Sequence, residues 1–109
     1  MFRHVVMFTF KDGTTEVQKE ALAAALHQLP ELIPEIRSCC FGRDLGLRDD
    51  NYDFALTADF DDADGFLVYS DHPDHLNAIA EFAAPIAKTR AAVQFEWPTD
   101  LPGSHSRMA

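Results

Sequence analysis

Hydrophobic and polar positions at the start of the chain follow the two-residue period of a β-strand, from about Arg3 to Lys11. One face of this predicted strand consists of His4, Val6, Phe8 and Phe10. The opposite face consists of Val5, Met7 and Thr9. Both faces are apolar enough to be covered by other parts of the protein or by a partner.

A helix is predicted after the turn at Gly13. Thr15 and Gln18 have the spacing of a capping box, in which each residue bonds the backbone of the other. Apolar residues then recur at helical period, and the stripe consists of Val17, Leu22, Ala25, Leu26 and Leu29. Pro30 and Pro34 are expected to end this helix.

Three further strands are predicted, from Ile36 to Asp44, from Asp53 to Phe60 and from Ala91 to Trp97. The acidic run from Asp59 to Asp64 should cap a short helix that contains Tyr69.

A second long helix should start near Asp71-His72-Pro73, because proline is favoured in the first turn. Its expected buried stripe consists of Leu76, Ile79, Ala80, Ala83 and Ile86.

The element order is β-α-β-β-α-β, which predicts an α+β, ferredoxin-like domain: a four-stranded antiparallel sheet with helices on one face. The second sheet face would carry Val5 and Met7, together with polar residues, which we expect to be Thr9, Thr57, Gln94 and Glu96. An apolar sheet face without helices favours a homodimer, in which two sheets pack into a barrel. A monomer with a moderately apolar wet face is the alternative.

Composition narrows the possible partners. The 109 residues suffice for one domain, predicted at 1–97, with a flexible tail at 98–109. A net charge of −9 argues against binding nucleic acid or an anionic membrane surface. No apolar run is long enough to span a bilayer. The only cysteines, Cys39 and Cys40, are adjacent and form no disulfide framework, which favours the reducing cytoplasm.

The residues that could carry chemistry are histidines and one tyrosine. His75 could act as a general base, or it could simply stabilise the start of its helix. Tyr69 could donate a hydrogen bond to an enolate oxygen, or it could bury its ring in the core. His4 either lines a pocket or is a satisfied core histidine. His72 and His75 are three residues apart, but no third ligand is evident, so no metal is expected.

Several segments resemble the stress-responsive α/β-barrel domain family. They are His4-Val5-Val6-Met7-Phe8-Thr9-Phe10-Lys11, Ile33-Pro34-Glu35-Ile36, Gly42-Arg43-Asp44, Tyr52-Asp53-Phe54-Ala55-Leu56, His72-Pro73-Asp74-His75 and Val93-Gln94-Phe95-Glu96. Their order covers about Met1 to Trp97. The resemblance implies a dimeric α+β barrel.

Most members of this family have no assigned reaction, but one plant branch contains polyketide cyclases, which act by intramolecular aldol condensation without metal or organic cofactor. The similarity to that branch implies that Tyr69 and His75 are an acid/base pair and that His4 lies in the pocket. Phe54 and Leu26 stand where the cyclase has a histidine and a tyrosine, which argues against the same substrate.

We therefore expect a cytoplasmic homodimer without cofactor that binds a small, largely apolar molecule. The expected pocket residues are His4, Phe8, Phe54, Tyr69 and His75, with His72 as a further ligand-binding candidate. One alternative is a cofactor-independent lyase, cyclase or isomerase with His75 as base and Tyr69 as oxyanion partner. A cofactor-free monooxygenase is a related alternative by fold analogy alone. The non-catalytic alternative is a stress or interaction protein.

Overall fold

The computed structural model describes residues 1–98, so the predicted tail, apart from Pro98, lies outside the described residues. The strands are β1 (Phe2–Phe10), β2 (Ser38–Arg43), β3 (Phe54–Phe60) and β4 (Ala87–Glu96). The helices are α1 (Glu16–Leu32), α2 (Ala63–Asp71) and α3 (Pro73–Ala78), and α3 continues into a π-helical segment, Ile79–Ala83.

The four strands form one sheet in the order β2-β3-β1-β4, with every neighbouring pair antiparallel. This order confirms the predicted α+β, ferredoxin-like arrangement. β1 and β3 are the central strands. The helices cover one face only, and the core lies between that face and the helices. Its most deeply buried side chains are those of Leu22, Leu29, Ile33, Phe60 and Ile86.

Helix α1 begins with the predicted capping box between Thr15 and Gln18. Leu22, Leu26 and Leu29 are buried as expected, but Val17 is 74% exposed, so its place in the buried stripe was wrong. The prediction that Pro30 ends the helix was also wrong, because the helix continues to Leu32. Pro34 has the predicted effect instead: it disfavours helical geometry at Ile33, whose backbone is extended and closes the helix.

The segment that follows β3 also departs from its prediction. Asp62 caps α2 by accepting a hydrogen bond from the Gly65 backbone, as expected of the acidic run. After α3, however, the Ala84 N–H donates to the Ile79 carbonyl at 2.8 Å, an i→i+5 bond.

This wider turn breaks the 3.6-residue period, so the stripe predicted for the second long helix was partly wrong. Leu76, Ile79 and Ala80 are exposed, whereas Ala78 is buried with Ala83 and Ile86.

The second sheet face is more apolar than predicted. Gln94 pairs with His4 across β1 and β4, and Val93 pairs with Val5. This register puts Gln94 and Glu96 on the helix side, so the prediction that they lie on the second face was wrong. Val93 and Phe95 lie on the second face instead, and they are 55% and 45% exposed in the single chain. Within residues 1–98, no helix has both the length and the hydropathy to cross a membrane.

Candidate functional site

A cavity of about 440 Å³ lies between the sheet and the helices. Its walls are mostly apolar, with side chains from β1, β3 and α1 that include Phe8, Phe54 and Leu26. Six polar residues interrupt this lining, and they are His4, Tyr69, Ser70, His75, Arg90 and Gln94. A largely apolar cavity of this size with a few convergent polar groups is typical of small-molecule sites, which span roughly 300–1,000 Å³.

His75 and Tyr69 meet at the wall of this cavity. They are on separate helices, α3 and α2, and the break between the helices at His72 lets the two rings approach to 4.2 Å between centroids, at an interplanar angle of 39°. His75 Nδ1 lies 3.1 Å from the Ser70 carbonyl oxygen. Because a carbonyl oxygen only accepts hydrogen bonds, Nδ1 carries the proton and donates. Nε2 is therefore the ring nitrogen that can accept a proton.

Burial governs the protonation of both residues. Burial lowers the pKa of His75 below its ordinary value. The hydrogen bond to Ser70 opposes this lowering, and the nearby charges of His72 and Arg90 add to it. His75 is consequently neutral at pH 7 and able to act as a base. Burial raises the pKa of Tyr69 well above its ordinary value, so its phenol keeps its proton and can donate it in a hydrogen bond.

The Tyr69 hydroxyl faces the cavity. Among residues 1–98 this hydroxyl takes part in no hydrogen bond. Every fully buried side-chain nitrogen or oxygen of these residues has a hydrogen-bond partner, so the Tyr69 oxygen is not fully buried. The Tyr69 side chain is 3% exposed overall, so its hydroxyl is the part that reaches the cavity space. An O–H donor is therefore available to a molecule in the cavity.

His4 is held in a fixed orientation on β1. The Gln94 amide nitrogen lies 2.8 Å from His4 Nδ1, and because an amide nitrogen only donates, Nδ1 accepts. Nε2 then carries the proton of the neutral ring. Burial lowers the pKa of His4 to about 4, with smaller contributions from the charges of Arg90 and His75. His4 is thus a second neutral hydrogen-bond donor on the cavity wall.

The structure brings together five of the six predicted site residues. His4, Phe8, Phe54, Tyr69 and His75 all line the cavity. The sixth, His72, does not. Its Nδ1 accepts a hydrogen bond from the Asp74 backbone at 3.1 Å and so caps α3, which leaves it outside the lining.

Sequence reasoning missed three polar lining residues, namely Ser70, Arg90 and Gln94. Arg90 precedes the predicted start of the last strand at Ala91, whereas β4 begins at Ala87. Gln94 was placed on the wrong face because the pairing register between β1 and β4 was unknown. The need of the His4 ring for a hydrogen-bond partner on an otherwise apolar face was the one signal available, and it does not identify Gln94 without the register.

The thiol of Cys39 does not contribute to this site. Burial raises the pKa of Cys39 to about 11, so its thiol is not a nucleophile at neutral pH, and the residue does not line the cavity. Within residues 1–98, no three His, Cys, Asp or Glu side chains are grouped so that they could hold a metal ion. The chemistry that the cavity wall offers is one base, the His75 ring, and several hydrogen-bond donors.

Comparison with known proteins gives a family match and several relatives. Residues 2–97 match the model of the Stress responsive A/B Barrel Domain family. The crystal structure of a dimeric ferredoxin-like protein of unknown function from Thermobifida fusca is similar at 49% identity and a TM-score of 0.80, covering 86% of this chain and 88% of that one.

Two curated relatives differ in what is known of them. The uncharacterized protein SCO4036 of Streptomyces coelicolor is 34% identical, over 76% of this chain and 91% of its own. Olivetolic acid cyclase of Cannabis sativa is 26% identical, over 68% of this chain and 75% of its own.

Proposed function

This chain belongs to the stress-responsive A/B barrel domain family, and from that premise we propose that it is a homodimer. Each subunit binds a small, largely apolar molecule in the cavity between sheet and helices. The observation that carries the proposal is the cavity itself, about 440 Å³ and mostly apolar, with neutral His4, Tyr69 and His75 on its wall. A purely structural domain gains no stability from an internal space of this size, because the lining side chains lose packing contacts.

Native mass spectrometry of freshly purified protein tests this proposal. We expect subunits that carry a small adduct, which is lost after denaturation and refolding. The matched control is Ala87→Phe, which adds a ring at a half-buried position of the cavity wall. An adduct that persists in the folded Ala87→Phe variant would place the bound molecule elsewhere.

The dimer part of the proposal is supported by the second sheet face and by the dimeric relative from Thermobifida fusca. Met7, Val93 and Phe95 on this face are 36%, 55% and 45% exposed in one chain, and a second sheet would cover them.

Met7→Lys should produce monomers in light scattering, because it places an unpaired charge in the interface. Val17→Lys makes the same charge change on α1, at a residue that is 74% exposed, and should leave the dimer intact. Monomers of the unmodified protein at micromolar concentration would refute the dimer.

An enzymatic role is the second candidate, favoured by the contact between His75 and Tyr69. In a cofactor-independent lyase, cyclase or isomerase reaction, neutral His75 Nε2 would take a proton from the carbon next to a carbonyl group. The Tyr69 hydroxyl would donate a hydrogen bond to the oxygen on which the negative charge develops. The electron pair of the broken C–H bond then forms the C=C bond of the enolate.

Deuterium exchange provides a test that needs no known substrate. In D₂O, a medium-chain methyl ketone should exchange its α-hydrogens faster with the protein than without it, as followed by proton NMR. His75→Gln should abolish the acceleration, and Tyr69→Phe should reduce it about 100-fold or more if its hydrogen bond stabilises the enolate. Equal acceleration by the His75→Gln variant would refute the base assignment and leave binding as the function.

A further inference from the structure

Strand β4 contains a β-bulge beside the cavity. Phe10 of β1 pairs with Ala87, and Phe8 pairs with Arg90, so two steps along β1 correspond to three along β4. Alternate residues of a regular strand point to opposite faces, and the extra residue is what allows Ala87 and Arg90 to share the helix-facing side. Both residues line the cavity.

The bulge is stabilised by its neighbour on β1. The backbone N–H of Thr89 donates a hydrogen bond to Thr9 Oγ1 at 3.1 Å, which satisfies a donor that a bulge removes from the regular ladder. The backbone of β4 therefore places Arg90, an exposed residue, on the cavity side of the strand. Bulges often re-aim a side chain next to a functional site.

Arg90 differs from Arg3, Arg37 and Arg43 in its surroundings, whereas Arg48, in the exposed segment after β2, also forms no ion pair within residues 1–98. Arg3, Arg37 and Arg43 each bind a carboxylate through two nitrogen atoms. Among residues 1–98, by contrast, no Asp or Glu forms an ion pair with Arg90. In a chain with 18 acidic and 9 basic residues, a guanidinium without an acidic partner at a cavity wall is a candidate anion-binding group.

The remaining polar wall also favours an anion. His4 and Tyr69 present an N–H and an O–H to the cavity, as their hydrogen bonding and protonation indicate. Burial, and then the charge of Arg90, keep the His4 ring neutral, so Arg90 supplies the positive charge. The lining residues from β3 and α1 are apolar.

We propose that the molecule bound in the cavity is an amphipathic carboxylic acid, whose apolar chain lies against Leu26 and Phe54 and whose carboxylate pairs with Arg90. A planar guanidinium matches a carboxylate through two parallel hydrogen bonds, and a single cation balances a single negative charge. A phosphate monoester carries about −1.5 to −2 charges and would need a second cation. This inference rests on the proposed binding function and names the class of its ligand.

Isothermal titration calorimetry with octanoate and octanamide tests the inference, because the two probes share an apolar chain and differ in charge. We expect the protein to bind octanoate about 10- to 100-fold more tightly than octanamide, the range for a hydrogen bond to a charged group. Arg90→Gln should remove this preference, so that octanoate binds no more tightly than octanamide. Lys88→Gln removes the same charge two residues away, at a side chain that does not line the cavity, and should keep the preference.

The possible results separate the inference from the function on which it rests. Equal affinity for the two probes, or a preference that survives in Arg90→Gln, would overturn the inference and leave apolar binding intact. If octanamide and octanoate both fail to bind, the proposed binding function fails together with the inference. If both probes bind the Ala87→Phe variant as tightly as the unmodified protein, they bind outside the cavity, which also overturns the inference.

Discussion

The buried histidine on β1 makes a quantitative prediction about how stability depends on pH. His4 is 5% exposed, and its pKa in the folded protein is about 4, against an ordinary value of 6.5 in the unfolded chain. Between these two values the unfolded chain binds a proton at this site and the folded protein does not. Acid therefore favours unfolding, and stability is lost as the pH falls from about 6.5 towards 4.

The size of the effect follows from the difference between the two pKa values. Each pKa unit corresponds to about 1.4 kcal/mol, so the full difference is worth about 3 kcal/mol. At pH 5 about 2 kcal/mol of this should already be lost relative to pH 7. Such a loss is a large share of the stability of a small domain, which is about 5–15 kcal/mol.

His4→Asn is the variant that isolates this effect. The Asn side-chain oxygen can accept the hydrogen bond of Gln94 in place of Nδ1, and the amide does not titrate. The substitution also removes ring atoms, but that packing cost does not change with pH. The informative quantity is therefore the difference in free energy of unfolding between the two proteins, measured at pH 7 and again at pH 5.

Urea denaturation followed by circular dichroism gives the free energies of unfolding. We expect the unmodified protein to lose about 2 kcal/mol more than His4→Asn between pH 7 and pH 5. Parallel pH dependence in the two proteins would show that His4 is not held neutral by burial. The assignment of His4 as a neutral hydrogen-bond donor on the cavity wall would then be wrong.

Three further predictions concern the same structure. Leu26→Ala should lower the free energy of unfolding by about 2 kcal/mol. This is near the lower end for a buried leucine because the Leu26 side chain already borders the cavity, and a loss above about 5 kcal/mol would contradict that placement. Thr15→Ala should cost about 1 kcal/mol in urea denaturation because the Gln18 backbone N–H loses the Thr15 hydroxyl as acceptor. An unchanged midpoint would show that this cap contributes nothing. Because burial lowers the pKa of His75, the deuterium exchange that it catalyses should persist below pH 6.5 and fall only as the ring protonates. A fall in the exchange rate centred above pH 6.5 would contradict the assignment of His75 as the base.

The sequence was informative about the fold because its local signals agree with one another. The alternation around His4, the Thr15–Gln18 pair and the acidic run from Asp59 to Asp64 each identified an element that the structure contains. Period and capping depend on neighbouring residues, so they can be recognised without knowing the tertiary structure. The same is true of Pro34, which ends α1 by restricting the residue before it.

The features that the sequence did not reveal depend on contacts between distant segments. The register of β4 against β1 decides that Gln94 meets His4, and the bulge decides that Arg90 faces the cavity. The π-helical turn at Ile79–Ala83 shifts the buried face of the second helical region. None of these has a periodic signature, because each adds or moves a single residue within an otherwise regular element.

The candidate site was predicted in part for the same reason. Residues on elements of known period, such as His4, Phe8 and Phe54, could be assigned to the helix-facing side of the sheet. The approach of Tyr69 to His75 could not, because it depends on the angle between α2 and α3 at their junction. For the same reason His72 was predicted among the ligand-binding residues, whereas its ring caps α3 at this junction.

The central claim, that the cavity binds a small apolar molecule, is tested most directly by NMR with methyl-labelled leucine and valine. Nuclear Overhauser effects from bound octanamide should reach the methyl groups of Leu22 and Leu26, which line the cavity. They should not reach Val93, which lies on the opposite sheet face. Contacts to both leucines alone would support the account. Contacts to Val93 without either leucine would show that the apolar molecule binds the second face and that the cavity is not the binding site.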